Sequence, residues 1–151
     1  MNEKEVKICW LVPENKCDLQ FPGYETKGAA GMDVQADVKE SLVIQPGERT
    51  LVPTGFGVSL PDGYELQVRP RSGLAVKYGV TILNSPGTID SDYRGEVKIA
   101  LVNLSDTPYI INRGDRIAQL VLAPVIRAKL VEITALDMTE RASGGFGHTG
   151  V

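Results

Sequence analysis

Histidine is almost missing from this 151-residue chain: the only one, His148, lies in the last four positions. Cysteine is nearly as scarce, with Cys9 and Cys17 alone. These three residues cannot supply the four ligands of a structural zinc. A Ser-His-Asp or Cys-His site would have to draw on His148, in a tail. Two thiols beside a core of ordinary size read as reduced cysteines of a cytoplasm, not as a disulfide scaffold. Cys9, inside the run Val6-Lys7-Ile8-Cys9-Trp10-Leu11, reads as a small buried hydrophobe. An excess of positive charge is also lacking. Lys plus Arg is 16 against 19 for Asp plus Glu, a net charge of −3. That excludes a protein whose main task is to wrap duplex nucleic acid, though it leaves room for a local basic pocket. No apolar run reaches the length of a membrane span. The opening MNEKEVKICWLVPENK places acidic residues ahead of a short apolar stretch, unlike a secretory leader. The expectation is a cytoplasmic protein without membrane attachment. Its chemistry then rests on carboxylates, arginines, hydroxyls, backbone groups or a ligand-borne metal.

Glycine (16) and proline (9) are plentiful: 25 of 151 residues, against an average near 12%. They punctuate the chain at short intervals, at Gln45-Pro46-Gly47, Pro61-Asp62-Gly63, Ser85-Pro86-Gly87 and Asn112-Arg113-Gly114-Asp115. Between them lie short runs rich in Val, Ile, Leu and Tyr. These are Val6–Leu11, Met32–Ala36, Leu42–Ile44, Thr50–Val52, Gly55–Leu60, Tyr64–Val68, Val80–Leu83, Val97–Asn103, Tyr109–Ile111, Arg116–Ala123 and Lys129–Ile133. Many alternate apolar and polar residues with period two, as in Glu96-Val97-Lys98-Ile99-Ala100-Leu101. Many short strands at regular spacing predict a sandwich, jelly roll or closed barrel. One short helix is expected over Ser72–Tyr78, and at most a turn over Thr134–Arg141. The length suits one domain. The end of the chain, Arg141–Val151, is small and glycine-rich and has no core element of its own.

Three letter patterns carry no weight. Gly145-Phe146-Gly147-His148-Thr149-Gly150 spells a dinucleotide fingerprint, but that motif needs a strand before it and a helix after it. Arg113-Gly114-Asp115 spells an adhesion tripeptide and reads better as the turn that opens the next strand. Asn103-Leu104-Ser105 spells a glycosylation sequon, without consequence in a protein that lacks a leader.

Three segments carry chemistry when taken together. Pro70-Arg71-Ser72-Gly73 opens the short helix and offers a planar donor fork, a hydroxyl and free N–H groups to an anion. Its plainer reading is a Ser N-cap beside a surface Arg. Asn84–Gly95 holds a turn, two aspartates and a tyrosine. Asp90, next to Ile89, is expected to point inward and can serve as a general base for a water. The plainer reading there is a solvated hairpin. Arg141 with Gly144–Gly150 adds glycine-rich backbone for an anion and one aromatic, Phe146, to stack on a base. Its plainer reading is a disordered end. Two arginines, hydroxyls, glycines, a carboxylate and an aromatic lid form a kit for gripping a nucleoside triphosphate.

At this point five segments, in order, resemble the motifs of the trimeric dUTPase family. They are Ala30-Gly31-Met32-Asp33, Pro70–Ala75, Asn84–Gly95, Gly114–Leu120 and Arg141–Gly150, and the likeness runs from about residue 6 to residue 150. Ala142 stands where the family commonly has Gly, and Met32 and Val34 where it commonly has Leu. The resemblance implies an all-β fold, a distorted jelly-roll or β-clip barrel over residues 1–140, with a flexible arm over 141–151 that closes the site. It implies a homotrimer whose active sites are shared between subunits, acting on no nucleic acid and no membrane. It implies hydrolysis of dUTP to dUMP and pyrophosphate by in-line attack of water on the α-phosphorus. That reaction keeps uracil out of DNA and supplies dUMP for dTMP synthesis. Asp90 takes the place of the base, and Arg71 and Gln119 those of catalytic phosphate contacts. Ser72, Gly73, Asn84, Gly87, Thr88, Ile89, Tyr93, Lys98, Arg141, Phe146, Gly147 and Thr149 take substrate-binding places. Mg²⁺ sits mainly on the substrate phosphates, with Asp33 at most in its outer shell. Two other readings are weighed. A dCTP deaminase of related fold uses a glutamate near the pyrimidine, and residues 84–93 hold none. A non-enzymatic β-rich trimer for assembly or adhesion would leave Asp90, Arg71 and Phe146 together without a purpose.

Overall fold

The computed structural model describes residues 3–146. Eleven strands, one α-helix and one 3₁₀ turn make up its regular structure. In chain order the strands are β1 Lys7–Trp10, β2 Met32–Gln35, β3 Leu42–Ile44, β4 Arg49–Pro53, β5 Phe56–Ser59 and β6 Tyr64–Arg69. The helix α1, Ser72–Tyr78, separates these from β7 Val80–Ile82, β8 Gly87–Ile89, β9 Lys98–Asn103, β10 Tyr109–Ile111 and β11 Arg116–Pro124. The strands form four sheets, ordered β1-β5, β10-β3, β2-β11-β6-β8 and β4-β9-β7, and every pairing is antiparallel. This is the expected jelly-roll-like architecture.

The alternation explains the core. In β9 the apolar side chains of Ile99 and Leu101 turn inward, and in β11 Ile117, Ala118 and Leu120 do so. Phe56 of β5 is the largest fully buried side chain. The short helix stops where Gly79 takes a left-handed conformation, φ +66°, and returns its N–H to the carbonyls of Leu74 and Ala75, as a glycine C-cap does.

Buried polar groups are satisfied. Asn103, fully buried, donates to the carbonyls of Ile44 (2.9 Å) and Thr107 (2.8 Å), and its Oδ1 accepts from Ser105. An amide used in this way is a structural strut and not a sugar acceptor. Arg113, the first letter of the adhesion-like tripeptide, is likewise turned to the protein's own use. It donates to both oxygens of Asp18 (2.6 and 2.9 Å), to Asp37 and to Asn15. These bonds pin the 3₁₀ turn Pro13–Cys17, which the sequence reading had not marked, to the loop before β11.

The Arg113 hydrogen bonds hold the Asp18 carboxyl below its ordinary value of 3.8. A carboxyl lowered by folding adds stability above its unfolded pKa and loses it as pH falls through the folded one. The expected outcome is that Asp18→Asn narrows the gap between the urea midpoints at pH 7 and in acid below the ordinary carboxyl value. An unchanged gap would show that the pair contributes nothing to acid sensitivity.

Three expectations are corrected. Cys9 is exposed, as is Cys17. In β1 the half-buried positions are Ile8 and Trp10, so the period of two turns Cys9 outward. Lys129–Ile133 forms no strand, and Thr134–Arg141 makes bends and no helical turn. Among the described residues regular structure ends at Pro124, and Ile126, Leu130 and Met138 beyond it are each more than nine-tenths exposed.

Candidate active site

Two groups of the expected side chains form, at opposite ends of one sheet. The first gathers around Asp33. In a regular strand, residues three apart point to opposite faces. In β11 the register slips by one residue between Arg116 and Ala118, a bulge against β2. Ile117 and Ala118 both turn into the core, and Arg116 and Gln119 come to the same face. Both reach Asp33, which lies opposite Gln119 in the ladder. Gln119 Nε2 donates to Oδ1 at 3.1 Å and Arg116 Nη1 to Oδ2 at 3.2 Å. Arg71, just past β6, brings its Nε to 3.2 Å from Asp33 Oδ1 and donates Nη1 to the Arg116 carbonyl at 3.1 Å. The Asp33 side chain is only 8% exposed. Ser72 and Gly73 follow at the exposed start of α1. The N-cap is Arg71 and makes no side-chain capping bond, so the first N–H groups of the helix stay available.

Gly31 is what lets Gln119 lie there. A Cβ on Gly31 would stand 2.9 Å from Gln119 Oε1 and 3.2 Å from Gln119 Cβ. Gly31→Ala is expected to displace the amide and lower kcat/KM by roughly 10–10²-fold, as misplacing a contact by about an ångström does. Thermal melting should hardly change. Unaltered kinetics would remove Gln119 from the site.

Asp33 is the residue offered to the outer shell of a magnesium ion. Its two oxygens already accept from Gln119 and Arg116 and form an ion pair with Arg71. Among the described residues no three His, Cys, Asp or Glu side chains converge as a metal site. The chain offers no carboxylate cage, and a hard ion fits here only with phosphate oxygens and water as its ligands.

The second group is the segment around β8. Thr88, Ile89, Asp90, Tyr93, Glu96 and Lys98 line a cleft of about 270 Å³ together with Leu51 and Val97. The Ile89 side chain belongs to the core, so its backbone is what faces a ligand. Asn84 lies against Gly87, where a Cβ would stand 3.3 Å from its Nδ2. Tyr93 donates its hydroxyl to the Glu96 carbonyl at 3.0 Å. That placement requires Gly95, because any Cβ there would collide with the Tyr93 ring and hydroxyl. Asp90 corrects an expectation: it is exposed, the residue at which β8 leaves the sheet. Among the described residues nothing hydrogen-bonds or ion-pairs with its carboxylate, which is therefore free for a water.

Sheet register measures how far apart the groups are. Ile89 pairs with Leu66, so Asp90 lies level with Glu65. Arg71 is six residues further along, roughly 20 Å at about 3.3 Å per strand residue. One chain does not bring Asp90 to Arg71 and Gln119. The described part of the tail, up to Phe146, joins neither group. Arg141 donates only to the nearby Gly144 carbonyl, and Phe146 is fully exposed. Gly147, His148 and Thr149 lie outside the described residues. Sequence reasoning missed Arg116 and its partner Glu25, 3.1 Å apart. The consecutive apolar residues Ile117-Ala118, which break the alternation of the strand, were the available signal.

A family model described as dUTPase matches residues 18–150. The deoxyuridine 5'-triphosphate nucleotidohydrolase of Desulfotalea psychrophila is 56% identical over 149 residues, covering 99% of each chain. Its counterpart in Rhizobium etli is 59% identical over 135 residues, covering 88% of this chain and 86% of the relative. Among solved structures, the dUTPase of Staphylococcus bacteriophage 80alpha with dUPNHPP superposes with a TM-score of 0.84 at 27% identity, covering 97% of this chain and 99% of the other. A variant dUTPase from phage phi11 of S. aureus shares the fold, with a TM-score of 0.76, 24% identity and coverage of 89% of this chain and 99% of the other; it is described with a structural Mg(II) ion.

Proposed function

The chain belongs to the dUTPase family, and on that premise we propose that it works through sites assembled between copies of itself. It hydrolyses dUTP to dUMP and pyrophosphate. The observation that carries the shared-site reading is the separation of Asp90 from Arg71, six residues along the sheet and roughly 20 Å at about 3.3 Å per strand residue. A triphosphate needs the Arg71 end, and the attacking water needs Asp90. A second copy supplies what the first lacks. Two further features suit a closed homotrimer. The stretch after Pro124 exposes Ile126, Leu130 and Met138, more apolar surface than a lone chain covers. Leu51 and Leu83 stand exposed on the outer face of β4-β9-β7, one of them at the rim of the Asp90 cleft.

In this site Asp90 orients a water and takes its proton as the oxygen bonds to the α-phosphorus. The bond to the bridging oxygen breaks on the opposite side, and pyrophosphate leaves. Arg71, Ser72, Gly73 and Gln119 hold phosphate oxygens and offset charge as it builds. Mg²⁺, bound through the phosphates, supplies neutralisation of their charge. Asn84, Thr88 and the backbone of Gly87 and Ile89 read the uracil edge. Cytosine reverses donor and acceptor there and leaves buried groups unpaired. Tyr93, fixed over Gly95, lies under the deoxyribose and leaves no room for a 2′-hydroxyl. Lys98 completes the wall of the cleft. Residues 141–151 close over the bound nucleotide. Phe146 stacks on the uracil and excludes water, and Arg141, Gly147 and Thr149 clamp the terminal phosphates.

Two exposed free thiols suit a reducing compartment, and among the described residues no helix is long and apolar enough to cross a membrane. The proposed location is the cytoplasm. The test is pyrophosphate release with Mg²⁺ from dUTP, dTTP, dCTP and UTP offered separately, with ammonia assayed in parallel and the mass of the assembly measured. Release from dUTP alone by a trimer is the expected result. Turnover by a monomer would overturn the shared site, and ammonia from dCTP would overturn the reaction.

A further inference from the structure

We infer that Arg116 is a positioning residue for phosphate binding: acting through Asp33, it sets where Arg71 and Gln119 present their remaining donors. This inference rests on the reading of the Asp33 end as the phosphate end. The argument starts from how the carboxylate is shared. Arg71 and Gln119 both use Oδ1 of Asp33, at 3.2 and 3.1 Å, and Oδ2 is taken by Arg116 at 3.2 Å. The terminal torsion of an aspartate is soft. Without a partner on Oδ2 the carboxylate can rotate, and Oδ1 no longer stands at a fixed point between the two side chains that depend on it.

Arg116 is itself clamped. Its Nη2 lies 3.1 Å from Glu25 Oε1 on the side away from Asp33. Its carbonyl accepts Arg71 Nη1 at 3.1 Å. Arg71 is thereby held at two points, by one ion pair and one hydrogen bond, and most of the N–H donors of its guanidinium remain for phosphate oxygens. The charges also balance: two arginines face two carboxylates, so the group gains nothing from Arg116 as a net cation. Its contribution is geometry. The bulge in β11 brings Arg116 to this face at all, and a bulge that re-aims a side chain is a feature of functional strands.

The test compares Arg116→Ala, Arg71→Ala and the double variant, with dUTP and saturating Mg²⁺. Arg116→Ala is expected to lower kcat/KM by about 10–10²-fold, the range of a contact displaced by an ångström. In the Arg71→Ala background the same change should matter far less, because coupled residues are not additive. Arg116→Lys keeps the charge but loses the planar fork that spans Asp33 and Glu25, and is expected to stay close to the alanine variant. Arg116→Ala equal to wild type, or a loss that multiplies fully with that of Arg71→Ala, would overturn the inference. Full rescue by Lys would assign Arg116 a purely electrostatic role and overturn it as well. Should Arg116→Ala fail to fold, Glu25→Gln, on an exposed side chain, tests the outer clamp. A smaller loss in kcat/KM at unchanged melting is expected there, and no loss counts against the inference. A wild type that releases no pyrophosphate from dUTP would instead defeat the underlying reading.

Discussion

Asp90→Asn is expected to lower kcat by roughly 10²–10⁴-fold, the usual contribution of a general base, with melting and the mass of the assembly unchanged. The substitution preserves shape and removes the capacity to accept a proton. Little else changes, because the Asp90 side chain is exposed and, among the described residues, has no hydrogen-bonded or ionic partner to lose. What positions it is backbone. β8 ends at Ile89, and the Asp90 carbonyl accepts the Tyr93 N–H at 3.1 Å, a turn that an asparagine forms equally well. Binding of a non-hydrolysable dUTP analogue should therefore persist, and the loss should appear in kcat. Near-normal turnover would take Asp90 out of the base role. A loss confined to KM would recast it as a binding group.

Removal of residues 141–151 is expected to abolish most turnover, roughly 10²-fold or more if closure aligns substrate and base and excludes water. Melting should be nearly intact. The described part of that segment makes only local bonds, from Ala142 N–H to Thr139, from Gly144 N–H to the Arg141 carbonyl and from Arg141 Nε to the Gly144 carbonyl. None of it covers the core. The contrast with a cut at residue 125 is informative. The longer truncation also removes Ile126, Leu130 and Met138, and it should change the oligomeric state. A large fall in melting temperature on removal of 141–151 alone would make the tail a structural element and not a closing one.

The strands were legible where an apolar or alternating run met turn residues at its ends. Leu42–Ile44 and Tyr109–Ile111 have the expected bounds, as has the helix Ser72–Tyr78. β8 was not, because Gly87-Thr88-Ile89 has one strongly apolar residue and sits among turn residues. Lys129–Ile133 failed for the opposite reason. Its pattern is that of a strand, but a strand also needs an edge to bond, and pattern says nothing of partners. Residue type misled at Cys9, where position in the alternation decided exposure. At Asp90 an apolar neighbour suggested an inward side chain, but adjacent residues of a strand face opposite ways. The site residues were legible as motifs. Their grouping was not, because Asp33 meets Gln119 through sheet register and Arg116 through a bulge, neither of which is local in sequence.

The gap between the Asp90 end and the Arg71 end has a genetic consequence. If each site takes Asp90 from one subunit and Arg71 from its neighbour, two dead alleles can restore one another. Chains carrying Asp90→Asn and chains carrying Arg71→Ala, each inactive in homotrimers, would on mixing in equal amounts rebuild about one intact site in four by random assembly around a closed ring. A cell expressing both defective proteins would regain activity that neither gives alone. Mixed with wild-type chains, either variant alone would instead lose sites only in proportion to its share, since each altered subunit damages one site.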